Sequence, residues 1–178
     1  VSTGIAQCGG ELVTILDFEK IVTEIAPETG IQMSDIDLLG ERRRCDVPIV
    51  LAEDSVLLAS MICESLKKAG FSNVKRFNNG KEAWEFLHAI RDQEHMESEA
   101  SLIITDIEMP EMDGHRLTKL VKSDEKLKKL PLIIFSSLIN EEMHLKGKQL
   151  GADEQLSKPE IKHLVEVIDR LLERTQTH

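Results

Sequence analysis

From Val47 onward, short apolar runs alternate with stretches of helical period. "VPIVLA" (47–52) stops at Glu53-Asp54, and Leu58, Ile62 and Leu66 then predict a helix over 55–69, with Gly70 placed to end it. A weaker strand, "VKRF" (74–77), leads through Asn79-Gly80 to a second helix with Ala83, Leu87 and Ile90 on one face. "LIIT" (102–105) and "LIIF" (132–135) read as further strands, with "HRLTKLVK" (115–122) as the helix between them. A modest helix over 141–150, closed by Gly151, precedes a short strand at 154–157. The last helix carries a continuous stripe of Ile161, Leu164, Val165, Ile168, Leu171 and Leu172, which predicts core packing.

Five βα units in succession predict an α/β fold, a (βα)5 doubly wound parallel sheet with strand order 2-1-3-4-5. The polar stretch 93–101 is expected as an extended helix end followed by a surface loop. Before Val47 the chain reads differently. Gly9-Gly10 precedes "LVTIL" (12–16), and Asp17 stands as a helix cap before "FEKIVTEI", giving a hairpin arm and a short helix too small to hold a core. Pro27, Gly30 and the mixed polar stretch to Asp46 read as a linker. Residues 1–46 are thus an appendage and 47–175 the domain.

The chain has 178 residues and 41% hydrophobic positions, enough for one ordinary core and an appendage. Its 32 acids against 22 bases give a net charge of -10, which argues against nucleic acid or an anionic membrane as a general partner. Arg42-Arg43-Arg44 is too short a basic run to change that. Cys8, Cys45 and Cys63 are few and far apart, matching neither a disulfide framework nor paired zinc ligands, so a reducing, cytoplasmic setting is expected. No apolar run reaches the roughly 18 residues of a membrane span, so no direct membrane insertion is expected. A start at Val1 suggests a piece of something longer, and only Thr175 to His178 follow the last helix, so no DNA-reading domain is expected in this chain.

The chemistry collects at strand ends. Glu53 and Asp54 follow the first strand of the repeat, Asp106 the third, Ser136 the fourth and Lys158 the fifth. In an open sheet of this kind the ligand crevice lies beyond the carboxyl ends of the strands, so five scattered residues are expected to meet. Crowded carboxylates must hold protons or share a cation, and an all-oxygen set with open positions suits Mg²⁺. Asp106 is then placed to attack phosphorus and become an aspartyl phosphate. Lys158 would neutralise the transferred group, Ser136 would donate to one of its oxygens, and the Glu108 backbone carbonyl would serve the metal. Taken singly, paired acids after a strand decorate a helix start, Ser caps and Lys-Pro turns; their joint placement carries the functional reading.

Glu53-Asp54, "DIEMPEMDG" with Asp106, Ser136 after "LIIF", and Lys158-Pro159 resemble, in order and spacing, the receiver domain of two-component response regulators over about 46–173. The resemblance implies a phosphorylation switch that takes a phosphoryl group from a phosphohistidine on a partner histidine kinase and loses it by hydrolysis. It also makes Ser136 and residue 155 the switch pair and Lys158-Pro159 a candidate cis peptide. Two positions depart from the family pattern: Gln155 stands where an aromatic is usual, and Glu160 where Phe is common. Phosphoryl chemistry should survive both, but the usual relay to the surface around the last two helices is put in doubt. The segment "GIAQCGGELVTILDFEKIV" resembles the end of a CheW-like coupling domain, and tail, linker and receiver in that order resemble the CheV-type architecture of bacterial chemotaxis. Partners implied are a chemotaxis-type histidine kinase and the chemoreceptor–kinase assembly.

Two other classes compete. An aspartate-nucleophile phosphatase of the haloacid dehalogenase type would want an Asp two residues after the nucleophile and metal-binding acids downstream; Glu108 and the upstream Glu53-Asp54 do not fit. A pseudo-receiver scaffold that is never phosphorylated draws on Gln155 but conflicts with the intact acids, Ser136 and Lys158. The six histidines show no metal-ligand spacing and are expected at the surface, with His115 nearest the crevice and still not catalytic. Trp84 is expected to be structural.

Overall fold

The computed structural model describes residues 2–8, 11–16, 45–137, 139–158 and 160–176, with side chains described between 45 and 174. At the start of the chain β1 (Ser2–Cys8) and β2 (Glu11–Leu16) pair antiparallel, with Cys8 opposite Glu11 and Gln7 opposite Leu12. The expected strand 12–16 lies within β2. The helix expected over "FEKIVTEI" and the linker as far as residue 44 lie outside the described residues.

The repeat forms one parallel sheet from β3 (Ile49–Ala52), β4 (Val74–Phe77), β5 (Leu102–Thr105), β6 (Leu132–Ser136) and β7 (Glu154–Ser157), in spatial order β4-β3-β5-β6-β7. Counted from β3, that is the expected order 2-1-3-4-5. The three central strands, β3, β5 and β6, are buried at every position, because helices cover both faces, and this is why they read as unbroken apolar runs. Their period of two still divides them. Ile49, Leu51, Ile104 and Phe135 enter one core with α1 (Val56–Lys68) and α5 (Ile161–Gln176). Val50, Ile103, Leu132 and Ile134 enter the other with α2 (Gly80–Ile90) and α3 (Gly114–Ser123).

A fifth helix, α4 (Glu141–Gln149), buries only Gly147 of its own residues, whereas the predicted stripe of α5 is at most 7% exposed throughout. Each of the first four helices opens on a side-chain cap. Ser55, Asn79, Asp113 and Asn140 accept the backbone N–H of Leu58, Glu82, Arg116 and Met143, so each βα junction turns sharply into its helix.

One expectation is corrected. Residues 93–101 do not extend α2, which ends at Ile90; a 3₁₀ turn at Met96–Ser98 follows, and it buries Met96 and Ala100 in the α2/α3 core. The polar residues around that methionine face outward, where Glu97 pairs with Lys129 and Asp92 with Lys126. Two apolar side chains in a charged stretch were enough to anchor it. No described helix is long and apolar enough to cross a membrane.

Candidate functional site

The parallel ladder itself sets two acids side by side. Asp106 directly follows β5 and donates its backbone N–H to Ala52 at 3.0 Å, while Glu53 directly follows β3 and donates to Phe77 at 3.0 Å. Lys158 leaves β7 with its N–H directed to the Ser136 carbonyl at 3.3 Å. Its Nζ reaches both acids, 2.7 Å from Asp106 Oδ2 and 2.8 Å from Glu53 Oε2. The second Asp106 oxygen accepts the Ile107 N–H at 2.6 Å, and the second Glu53 oxygen accepts the Ser55 N–H at 3.1 Å. All three residues are buried, with exposures of 1% for Glu53, 6% for Asp106 and 2% for Lys158.

Two buried carboxylates against one ammonium leave an excess of negative charge, and exposed Asp54 adds to it. Burial pushes the Glu53 carboxyl above its usual range, and the contacts with Lys158 oppose that only in part. Burial pulls Lys158 down, but Asp106 and Glu53 outweigh it, so the ammonium is held above the ordinary lysine value. One carboxylate oxygen from each of Glu53, Asp54 and Asp106 lies within 4.8 Å of the others. Three hard oxygens converging on one point, one of them on an exposed residue, fit a hard divalent cation that keeps open coordination positions.

Close packing protects this arrangement. A Cβ built on Gly114 would stand 1.8 Å from the Asp106 carbonyl oxygen, so only glycine lets the start of α3 pass so close behind the acid. The Gly114 N–H donates to Ile107 at 2.9 Å, closing the loop "DIEMPEMDG" on itself. Glu111, within that loop, adopts a left-handed φ of 62°.

The remaining expected residues fall in different places. Ser136 ends β6, is 2% exposed and pairs in register with Ser157, next to Lys158. Glu108 is exposed beside Asp54, on the wall of a cavity of about 510 Å³. Gln155 is not part of the cluster: it pairs with Ile134, and its Nε2 donates to the His144 carbonyl of α4 at 2.7 Å. The candidate cis peptide at Lys158-Pro159 involves a residue outside those described.

His115 is the residue that the sequence reading misplaced. His88, His95, His144 and His163 are exposed as expected, but His115 is 3% exposed. Its position three residues before Thr118, on the inward face of α3 that also holds Leu117 and Val121, was the available signal. Trp84 is half-buried on α2 and packs against that helix's core.

An open parallel sheet ordered 2-1-3-4-5, with acids and a lysine gathered beyond its strand ends, defines the CheY-like class of doubly wound α/β proteins. Within that class the chain belongs to the response regulator receiver domain family, whose sequence model matches residues 49–169. Two chemotaxis proteins of Helicobacter pylori are similar along almost the whole chain. CheV2 is 30% identical over 90% of this chain and 50% of its own length, and CheV1 is 30% identical over 92% and 50%. The chain therefore spans about half the length of these curated relatives. Among solved structures, the phosphorylated cyanobacterial phytochrome response regulator RcpA aligns with a TM-score of 0.57 and 25% identity, over 70% of this chain and 89% of that one. Residues 49–169 are thus a receiver domain, the signalling module of response regulators.

Proposed function

We propose that Asp106 is the phosphoacceptor of a two-component chemotaxis switch and that this chain adjusts the coupling between chemoreceptor and kinase. The observation that carries the reading is the convergence of Glu53, Asp54 and Asp106 oxygens within 4.8 Å, with Lys158 bonded to both buried acids. The Asp106 carboxylate forms an O–P bond as the N–P bond of a partner kinase's phosphohistidine breaks, and the electron pair leaves with the imidazole, which takes a proton from solvent. Lys158, already on Asp106, pairs with an incoming phosphoryl oxygen, and the Ser136 hydroxyl donates to another. Glu53, Asp54, Asp106 and the Glu108 carbonyl would hold Mg²⁺, which when bound neutralises charge on the phosphoryl oxygens. Water attack on phosphorus then restores Asp106, with access governed by the side chains of Glu108 and Ser137.

Residues 1–46 serve in this reading as the tail of a CheW-like coupling domain plus a linker, and 47–175 as the receiver, working in the cytoplasm. The similarity to CheV1 and CheV2 supports that organisation, and the phosphorylated relative RcpA supports the chemistry. Ser136 and Gln155 form the switch pair, with the Gln155 bond to α4 as the element that phosphorylation releases.

Intact-mass measurement after incubation with Mg²⁺ and a small phosphoryl donor tests the proposal. One phosphoryl adduct is expected, absent in Asp106→Asn. An unmodified parent chain, or an adduct that survives the substitution, would show that Asp106 is not the acceptor.

A further inference from the structure

The carbonyl of Asp106 lies where the ladder between β3 and β5 stops. Asp106 still donates its N–H to Ala52 at 3.0 Å, and in a continued parallel ladder its carbonyl would accept the Asp54 N–H. It accepts instead from the residue before it. The Thr105 hydroxyl donates to the Asp106 carbonyl at 2.9 Å, and no other hydrogen bond to that oxygen forms among the described residues. Thr105 is fully buried at the end of β5. A Cβ on Gly114 would stand 1.8 Å from the carbonyl oxygen and 3.1 Å from the Thr105 hydroxyl, so the start of α3 closes one side of both atoms.

That oxygen is one end of a rigid unit whose other end touches the carboxylate. The peptide between Asp106 and Ile107 is planar and trans, so its C=O and N–H point in opposite directions and turn together. The N–H, on Ile107, donates to Asp106 Oδ1 at 2.6 Å, while Oδ2 accepts from Lys158 at 2.7 Å. A hydroxyl that fixes the carbonyl oxygen therefore fixes the direction of the proton offered to Oδ1. Branching at Cβ restricts χ1 of Thr105, so the hydroxyl itself has little freedom.

We propose that Thr105 is a positioning residue for phosphoryl transfer: its hydroxyl holds the peptide between Asp106 and Ile107 and, through the Ile107 N–H, sets the orientation of the Asp106 carboxylate for attack on phosphorus. The inference rests on Asp106 being the phosphoacceptor, and the hydroxyl acts through that residue rather than on the phosphoryl group. Without the hydroxyl the buried carbonyl has no donor, the peptide is free to turn, and the Ile107 N–H leaves Oδ1. The carboxylate then spends less time in line with the phosphorus it attacks.

Thr105→Val, which keeps the shape without the donor, Thr105→Ala and Thr105→Ser are compared with the parent in the full chain by two readouts. The first is the proton shift of the Ile107 amide by NMR in metal-free protein, which needs no phosphoryl donor. The second is the rate of adduct formation at saturating Mg²⁺ and a fixed concentration of small phosphoryl donor, with Asp106→Asn as the blank. In the parent the Ile107 proton should resonate downfield, as a short bond to a carboxylate requires, and an ordinary position there overturns the proposal whichever variants fold. In the valine and alanine variants that proton is expected to move upfield and the rate to fall about tenfold, both together. Thr105→Ser keeps the hydroxyl and should stay close to the parent in both readouts, although loss of the methyl lowers its Tm. A serine variant as slow as the valine one would assign the effect to packing, and a folded valine or alanine variant with either readout unchanged would also overturn the proposal. No adduct on the parent, or one that survives Asp106→Asn, removes the phosphoacceptor reading and the inference with it, whereas the Thr105 results remove the inference alone.

Discussion

Lys158 answers two buried acids at once, and its contacts only partly offset the burial of Glu53. Burial foremost holds its carboxyl above the usual value, so the folded chain binds that proton more tightly than the unfolded chain does. The proton therefore contributes stability below the unfolded pKa, and that contribution is lost as pH rises through the higher folded value. A divalent ion needs the anion, so its stabilising effect runs the opposite way with pH. At fixed Mg²⁺, the gain in Tm over metal-free protein should grow as pH rises from the unfolded carboxylate range through the raised folded value, and Glu53→Gln should flatten the rise. A gain in the parent chain that does not change with pH would show that Glu53 takes no part in holding the metal. The acids and Ser136 were legible as residues because each follows an apolar run, and Lys158 because it stands before Pro159 at the end of the short strand 154–157. His115 was not, because its helical spacing to Thr118 was the only mark of its face and a lone histidine is ordinarily a surface residue.

At the scale of elements, two glycines next to functional groups make opposite demands. The Cβ of an alanine at Gly114 would meet backbone, 1.8 Å from the Asp106 carbonyl, which cannot move without displacing the end of β5. At Gly147 it would meet the far end of Gln155, 2.2 Å from Oε1, which can swing away. Gly114→Ala should therefore cost at least about 3 kcal/mol in urea unfolding. Gly147→Ala trades one hydrogen bond for better helix propensity and should stay within about 1 kcal/mol of the parent. Similar losses for the two would mean that the close approach behind Asp106 is not the constraint described. The helices were legible from their periods and caps, whereas the 3₁₀ turn at Met96–Ser98 was not, since one buried methionine in a charged stretch has no period to reveal it.

Across the whole molecule, stability is unevenly shared. The helix α5 lays a full apolar stripe on the sheet, while α4 buries little beyond Gly147 and is held by side contacts such as Gln155 to the His144 carbonyl. Amide hydrogen exchange should accordingly be much faster along α4 than along α5, by a factor of about ten or more. Equal protection would show that α4 opens only with the whole fold, leaving it poorly suited to relay a switch. The order of elements, the parallel sheet and the strand-end location of the chemistry were all determined by the sequence alone, because hydrophobic period and chain connectivity leave few other ways to cover a five-stranded sheet. Which carboxylate meets the lysine, the burial of His115, and the turn of Gln155 away from the acids toward α4 were decided only by tertiary structure. Those facts depend on distances between residues that can be more than a hundred positions apart in the chain, as Glu53 and Lys158 are, set by strand register and helix packing, and no local pattern encodes them.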